Sequence, residues 1–128
     1  MNTSIDFSTF KDQENNYIYS GTALKNQREF SVGCCKNNLN GQKVMNLHQK
    51  KHIEHRIFGP LYPSHVFEGE MPNSNIIGWR IKCTRPFDDD YGGSWKRVNK
   101  IIGTNHFNFS VTSCFMRDLD WEIDIYYI

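Results

Sequence analysis

The C-terminal residues alternate strictly between two sets of side chains, and no other feature of the chain constrains the fold as strongly. One set consists of Trp121, Ile123, Ile125 and Tyr127, and the other consists of Glu122, Asp124 and Tyr126. A period of two indicates a β-strand with one buried face, because successive side chains on a strand point to opposite sides. We therefore expect a strand that runs to the end of the chain and belongs to the fold.

Similar alternation elsewhere in the sequence predicts an all-β protein. Two further runs alternate in the same way, over residues 77–83 and 106–114. Shorter candidate strands, separated by turns rich in Asn, Gly and Pro, cover residues 17–19, 30–34, 43–47, 54–58, 64–70 and 95–102. No stretch has a helical period. Strands about ten residues apart favour a single-domain antiparallel β-sandwich, or else a barrel, of about eight or nine short strands.

The length of 128 residues suits one domain. Residues 1–28 are polar and predict a flexible start followed by an edge strand, and residues 29–128 are expected to form the sandwich. Its core should include Trp79, Trp95 and Trp121, which fall on three predicted strands. The alternative for these aromatic residues is a cavity between the sheets that takes an apolar or amine ligand.

The chain has four cysteines, Cys34, Cys35, Cys83 and Cys114, and none of them has the C-x-x-C spacing of a zinc site. Adjacent cysteines rarely bond each other because the geometry is strained. The sequence therefore predicts two disulfides that join Cys34 and Cys35 to Cys83 and Cys114, in either of two pairings. The alternative is four free thiols in the core.

The polar opening of the chain lacks the pattern of a signal peptide. An intracellular protein and a mature secreted chain both fit that opening, and the even number of cysteines favours the secreted, extracellular protein. Two candidate glycosylation sequons begin at Asn2 and Asn108, and they are compatible with secretion.

The charge distribution restricts the partners. A net charge of +1 indicates no overall attraction to nucleic acid, and no apolar run is long enough for a transmembrane segment. A local basic cluster, a candidate patch for a glycosaminoglycan or another polyanion, consists of Lys50, Lys51, His52, His55 and Arg56. The alternative for this cluster is ordinary solvated charge.

The sequence predicts no enzyme, no cofactor and no metal site. His48, His52 and His55 would line one face of a helix, but the segment favours a turn and a strand, on which His52 and His55 point apart. Asp88–Asp90, in a loop expected over residues 86–93, lacks the alternating acidic spacing of a calcium loop. No serine lies in a G-x-S-x-G turn, and no glycine-rich loop could cradle a phosphate.

The C-terminal third resembles the insect family named after multiprotein bridging factor two. Ser113, a basic residue at Arg117, apolar residues at Leu119 and Trp121, and the last strand at 123–126 follow the terminal pattern of that family. Further upstream, residues 88–93 resemble its acidic loop with two glycines, and Val32, Gly33 and Gly41 resemble its opening. The departures from the family pattern are Cys114, Met116, Asp118 and Tyr127.

This resemblance implies a small, secreted, non-enzymatic insect β-domain that acts by binding. With the cysteines, it implies a salivary effector of a blood-feeding fly that acts on host vasculature or haemostasis, in the manner of a vasodilator, through a host or other extracellular protein target. Two alternatives are an intracellular transcription co-regulator and a scavenger of small molecules such as amines or lipids.

Overall fold

The computed structural model describes residues 20–35, 42–52, 62–85, 91–97, 99–115 and 117–128. These ranges contain eight β-strands and no helix. The strands are β1 (Ser20–Leu24), β2 (Glu29–Gly33), β3 (Lys43–Lys51), β4 (Ser64–Glu70), β5 (Ile76–Cys83), β6 (Tyr91–Arg97), β7 (His106–Thr112) and β8 (Leu119–Tyr127). No helix that is long and apolar enough to cross a membrane occurs in these ranges.

The eight strands form two antiparallel four-stranded sheets, which confirms the predicted all-β class. Sheet A has the order β1-β6-β7-β4, and sheet B has the order β2-β5-β8-β3. The sheets pack face to face, because the ring of Trp79 in β5 lies 5.4 Å from Trp95 in β6 and 5.0 Å from Phe109 in β7. The described strands therefore form a β-sandwich of two separate sheets.

The alternating residues form the core as the sequence predicts. The inward side chains of β7 and β8 are almost fully buried, and they are Phe107, Phe109, Val111, Trp121, Ile123 and Ile125. Trp79, Trp95 and Trp121 are all buried, with exposed fractions of 0%, 5% and 1%. Each fully buried large apolar side chain contributes about 1.5–3 kcal/mol, so this inner face is a main source of the folding free energy.

Two sequence predictions around β6 were wrong in their boundaries. Gly92 and Gly93 lie within β6, although the sequence predicted a loop up to residue 93. The register with β1 shifts between Ala23 and Leu24, so the glycine pair forms a β-bulge on an otherwise regular ladder. Gly93 has a φ of 127°, a backbone conformation that favours glycine.

The predicted strand over residues 95–102 ends at Arg97. Ile101 and Ile102, both 1% exposed, lie in the connection between β6 and β7. This connection is fastened by hydrogen bonds, from Gly103 N to Ile76 O at 2.8 Å and from Ile76 N to Thr104 O at 2.9 Å. Apolar side chains can therefore be buried without strand structure, because a well-bonded turn can close one end of the sandwich.

Several predictions fall outside the described residues. These are the run 17–19, the candidate strand 54–58, the acidic segment 88–90, and the side chains of Asn2, His55, Arg56 and Met116. Within the described ranges, β1 is an edge strand of sheet A, and its Ala23 is buried in the common core.

The predicted disulfides are not found, because no bridge joins any of the four cysteines in the structure. Cys34 N donates to Ile77 O at 2.9 Å, whereas Cys83 lies six residues further along β5. At about 3.3 Å per residue this separation is about 20 Å, while bridged cysteines have their Cα atoms within about 7 Å. The register of the sheet therefore does not allow a bond between Cys34 and Cys83.

Candidate ligand-binding site

A cleft opens on the side of the sandwich where the chain crosses from sheet A to sheet B. The crossing is a tight turn after β1, with hydrogen bonds of 3.0 Å in both directions between Leu24 and Gln27. The cleft has a volume of about 290 Å³ and lies between β1 and the start of β2. Its lining includes the backbone of β1 together with Arg28, Phe30, Trp95 and Trp121, and we call it the aromatic cleft.

The aromatic wall of the cleft is built from both sheets. The ring of Phe30, at the start of β2, lies 5.6 Å from Trp95 in β6 and 6.0 Å from Trp79 in β5. Phe30 is only partly buried, so one side of this aromatic group borders the opening. Tilted ring pairs at these distances are favourable, and they form an apolar surface against which a ligand can pack.

Gly21 shapes the same wall from the opposite strand. Gly21 pairs with Trp95 in the β1–β6 ladder, and a Cβ atom at Gly21 would lie 2.6 Å from Nε1 of Trp95. The indole therefore lies directly against the backbone of β1, and only glycine leaves room for it there. The absence of a side chain also brings the backbone of β1 close to the cleft.

Trp121 lies at the inner end of the cleft. Its side chain is 1% exposed, and its Nε1 atom has no hydrogen-bond partner among the residues that the structure describes. The Cζ2 atom, on the same edge of the ring as the N–H group, lies 3.3 Å from where a Cβ atom of Gly93 would be. That edge lies where β6 meets β7, because the same Cβ position would be 2.5 Å from the carbonyl oxygen of Thr112. A buried N–H group without an acceptor costs about 1–3 kcal/mol.

Two charged residues, Arg28 and Glu29, belong to the described lining of the cleft. The guanidinium of Arg28 donates from Nη1 to the carbonyl oxygen of Arg85 at 2.6 Å. The carboxylate of Glu29 lies 3.5 Å from Nε of Arg80, on the outer face of sheet B. The carboxylate of Glu29 is therefore balanced by a cation that lies outside the lining of the cleft.

The basic cluster predicted from the sequence is interspersed with acidic groups. Nδ1 of His52 lies 3.1 Å from Asp118, and Nζ of Lys50 lies 3.9 Å from Asp120. Nζ of Lys51 donates to the carbonyl oxygen of Ser64 at 2.5 Å. His55 and Arg56 lie outside the described residues. The three described residues of the cluster therefore present mixed charge with their acidic neighbours, which weakens the attraction to a polyanion.

A small polar group at the edge of sheet B brings together His48, Thr84 and Asp120. Nε2 of His48 lies 2.5 Å from Oδ1 of Asp120, and the hydroxyl of Thr84 donates to the same oxygen. A nucleophile and base pair needs the hydroxyl on one ring nitrogen and the carboxylate on the other. Here both partners lie at Nε2, so the arrangement is a hydrogen-bonded contact between the imidazole and a carboxylate that also binds a hydroxyl.

Among the described residues, no group of three or more His, Cys, Asp or Glu side chains could hold a metal ion. Two thiols resist ionisation: burial raises the pKa of Cys35 to about 11, and burial also raises the pKa of Cys83. The Sγ atom of Cys35 donates to the carbonyl oxygens of Val32 and Trp79, at 3.5 and 3.3 Å. Neither thiol has the lowered pKa that an activated nucleophile requires.

The candidate glycosylation residue Asn108 lies on the outer face of sheet A. Its Nδ2 atom donates to the carboxylate of Glu68, its partner across the β4–β7 ladder, at 3.2 Å. The next residue, Phe109, is fully buried, as the alternation of the strand predicts.

Comparison with known proteins does not assign this chain to a group, since no family model, no curated protein and no solved structure matches it. The site is therefore interpreted from its own residues. Sequence reasoning suggested a cavity near three tryptophans, and the structure places Trp95 and Trp121 at the cleft, with Trp79 in the core beside them.

Sequence reasoning missed Phe30, Arg28 and the whole contribution of β1. Gly21, flanked by Ser20 and Thr22 in a short strand, was the available signal, because a glycine within a strand often marks a close approach of the backbone.

Proposed function

We propose that the protein is a non-enzymatic binding protein that holds a small apolar or aromatic ligand in the aromatic cleft. The observation that carries this proposal is the convergence of three aromatic side chains, Phe30, Trp95 and Trp121, on one opening of about 290 Å³. Ligand sites are concave and mostly apolar, with a few polar groups that orient the ligand. The volume is at the small end of the usual range, so the ligand is small.

The resemblance to the insect family named after multiprotein bridging factor two suggests where this protein would act. A secreted insect protein, released in saliva and directed at host vasculature or haemostasis, would act through the cleft by binding a small mediator. The cleft favours this scavenger form over contact with a host protein, because the aromatic side chains line a concave site and not a flat apolar surface.

The test follows the three indole N–H signals in a spectrum of ¹⁵N-labelled protein, since the chain has three tryptophans. A neutral aromatic probe, unlabelled indole, should shift the signals of Trp95 and Trp121 saturably and shift that of Trp79 much less. Trp79 serves as an internal reference because it lies outside the lining of the cleft. Absence of a saturable shift, or an equal shift of all three signals, would overturn the proposal.

A matched pair of variants locates the binding. Phe30→Leu removes an aromatic wall of the cleft and should weaken binding of indole about three- to tenfold, the usual value of an aromatic pair. Phe115→Leu makes the same change at an exposed ring that stacks on Tyr62 and lies outside the cleft. It should leave the affinity unchanged. Equal effects of the two substitutions would contradict the assignment.

A further inference from the structure

We infer that the outer face of sheet A is a second binding surface, and that it takes an oligosaccharide that carries carboxylate groups, as uronic acids do. The inference goes beyond the proposed function, because this face is polar and lies on the solvent side of the sheet. The aromatic cleft opens between β1 and β2, so the two surfaces share only the region of β1 and Trp95. The second surface presents five hydroxyl side chains and one lysine, and we call it the hydroxyl face: Ser20, Thr22, Ser94, Lys96, Ser110 and Thr112.

The register of sheet A aligns these side chains in rows across the strands. Thr22 pairs with Ser94, and Ser94 pairs with Thr112. On its other side, Thr112 pairs with Ser64 in the edge strand β4. Since neighbouring strands lie about 4.8 Å apart, this row of four hydroxyl residues extends about 14 Å across the sheet. A row of this length fits an extended chain of polar groups and not a single ion.

The hydroxyl groups of this face are available to a ligand. A shallow depression of about 580 Å³ lies above them, and none of the five hydroxyls bonds to another group among the residues that the structure describes. The outer face of sheet B differs, because its side chains bond to each other: Asn46 donates to Glu122 and Asp124, at 2.7 and 2.6 Å. A hydroxyl offers one donor and two acceptor lone pairs, as each hydroxyl of a sugar does, so the two can pair in both directions.

Lys96 gives the hydroxyl face its charge. Lys96 is exposed, and its partners in the two ladders are Ser20 in β1 and Ser110 in β7. The lining of the depression contains no carboxylate. Glu68, on the same face, lies two strands away in β4 and accepts a hydrogen bond from Asn108 at 3.2 Å. One cation among several hydroxyls is complementary to a ligand with widely spaced negative charges, which describes a uronic acid chain better than a densely sulfated one.

An exposed aromatic ring borders the hydroxyl face at β4. Tyr62 precedes Ser64 by two residues, and the chain still follows β7 there, because Ser113 N donates to Pro63 O at 2.8 Å. Since side chains alternate along an extended segment, Tyr62 lies on the same face as Ser64. Tyr62 is 58% exposed, and its ring lies 5.6 Å from that of Phe115. The apolar side of a sugar ring can pack against this aromatic ring while its hydroxyls meet the polar rows.

The experiment measures the binding of three hexasaccharides to the ¹⁵N-labelled full chain. The hyaluronan hexasaccharide carries a carboxylate on every second sugar, maltohexaose is neutral, and the heparin hexasaccharide is densely sulfated. We expect hyaluronan to bind about three- to tenfold more tightly than maltohexaose, as one charge-assisted hydrogen bond at an exposed site predicts. It should shift the amide signals of Ser94, Lys96 and Ser110 saturably. Absence of saturable binding, or equal affinity for maltohexaose, would overturn the inference.

Lys96→Gln and Lys82→Gln form a matched pair of variants. Each removes one exposed charge from the outer face of a sheet, sheet A for Lys96 and sheet B for Lys82. Lys96→Gln should abolish the preference for hyaluronan over maltohexaose, whereas Lys82→Gln should change either affinity less than about twofold. If heparin binds more tightly than hyaluronan and responds equally to both substitutions, the protein has only a general attraction to anions, and the inference is wrong.

Thr112→Val tests the row of hydroxyls. Valine has nearly the shape of threonine and favours strands, so the variant should fold, and urea denaturation checks that it does. We expect it to weaken hyaluronan and maltohexaose by the same factor of about two to ten, the value of one hydrogen bond between neutral groups. An unchanged affinity of the folded variant for both would contradict the role of the row.

The readouts distinguish this inference from the proposed function. Lys96→Gln should leave the affinity for indole unchanged, because Lys96 does not line the aromatic cleft. If indole binds and no hexasaccharide does, this inference alone fails. If the hydroxyl face instead pairs with a second copy of the chain, sedimentation should show a dimer that Thr112→Arg dissociates, and the inference would then be wrong.

Discussion

Burial changes the acid–base behaviour of a single side chain at Cys35. Its thiol lies between the carbonyl oxygens of Val32 and Trp79, at 3.5 and 3.3 Å. Burial, opposed in part by the charge of Arg80, raises the pKa of Cys35 from its ordinary value of 9.0 to about 11. The folded protein therefore holds this proton more tightly than the unfolded chain does.

Stability should consequently fall as the pH rises from about 9 to about 11. Below pH 9 the thiol is protonated in both states and its full contribution is present, whereas above that pH the unfolded chain loses the proton first. Urea denaturation of the wild type and of Cys35→Ser at several pH values in this window measures the effect. The serine variant should lose less stability across the window, and identical pH profiles for the two proteins would refute the assignment.

At the level of strands, each edge strand of sheet A has a glycine that lies against an aromatic ring of the neighbouring strand. Gly21 in β1 lies under the indole of Trp95, and Gly69 in β4 lies under the ring of Phe107. A Cβ atom would come within 2.6 Å of the first ring and 2.8 Å of the second. An aromatic ring that covers a glycine on the neighbouring edge strand compensates for the missing side chain and fixes the register.

The two glycines form a matched pair for testing the cleft. Gly21→Ala and Gly69→Ala should each destabilise the fold by about 1–3 kcal/mol, the usual cost of overpacking, as measured by denaturation. Only Gly21→Ala should also change the affinity for indole, because of the two glycines only Gly21 lines the aromatic cleft. A loss of binding in both variants would show that destabilisation, and not the cleft, controls the affinity.

At the scale of the whole molecule, the cysteines lie in two pairs at opposite ends of the sandwich. Cys34 and Cys35 follow β2 and lie beside residues 77–79 of β5. Cys83 ends β5, and Nη2 of Arg85 lies 3.7 Å from Sγ of Cys114. Cys83 pairs with Trp121, and Ser113 immediately precedes Cys114. Since Trp121 and Ser113 both lie next to Gly93, Cys83 and Cys114 are at the same end of the sandwich.

Peptide mapping of the natively folded, alkylated protein should therefore find no bridge between the two ends. Any disulfide present should join Cys83 to Cys114, because Cys34 and Cys35 lie about 20 Å away along the strands and adjacent cysteines rarely bond each other. A peptide that links Cys34 or Cys35 to Cys83 or Cys114 would show that the register of β2 on β5 is wrong.

The alternation of side chains along a strand explains which strand boundaries could be predicted from the sequence and which could not. The strands β4, β5, β7 and β8 were predicted nearly to their ends, because alternation along one strand needs only the residues of that strand. The boundaries of β6 were missed because Gly92 and Gly93 read locally as a turn, whereas pairing with β1 makes them a bulge. For the same reason, the sequence suggested tryptophans near a cavity but not Phe30 or Arg28.

By itself, the sequence determined the β class, the inward faces of β5, β7 and β8 and the burial of the three tryptophans, since a period of two is a property of consecutive residues. Only the tertiary structure decided the strand order, the separation of the cysteines and the position of the aromatic cleft. These depend on which distant strands become neighbours, and the free energy of that choice comes from contacts between sheets that no local pattern contains.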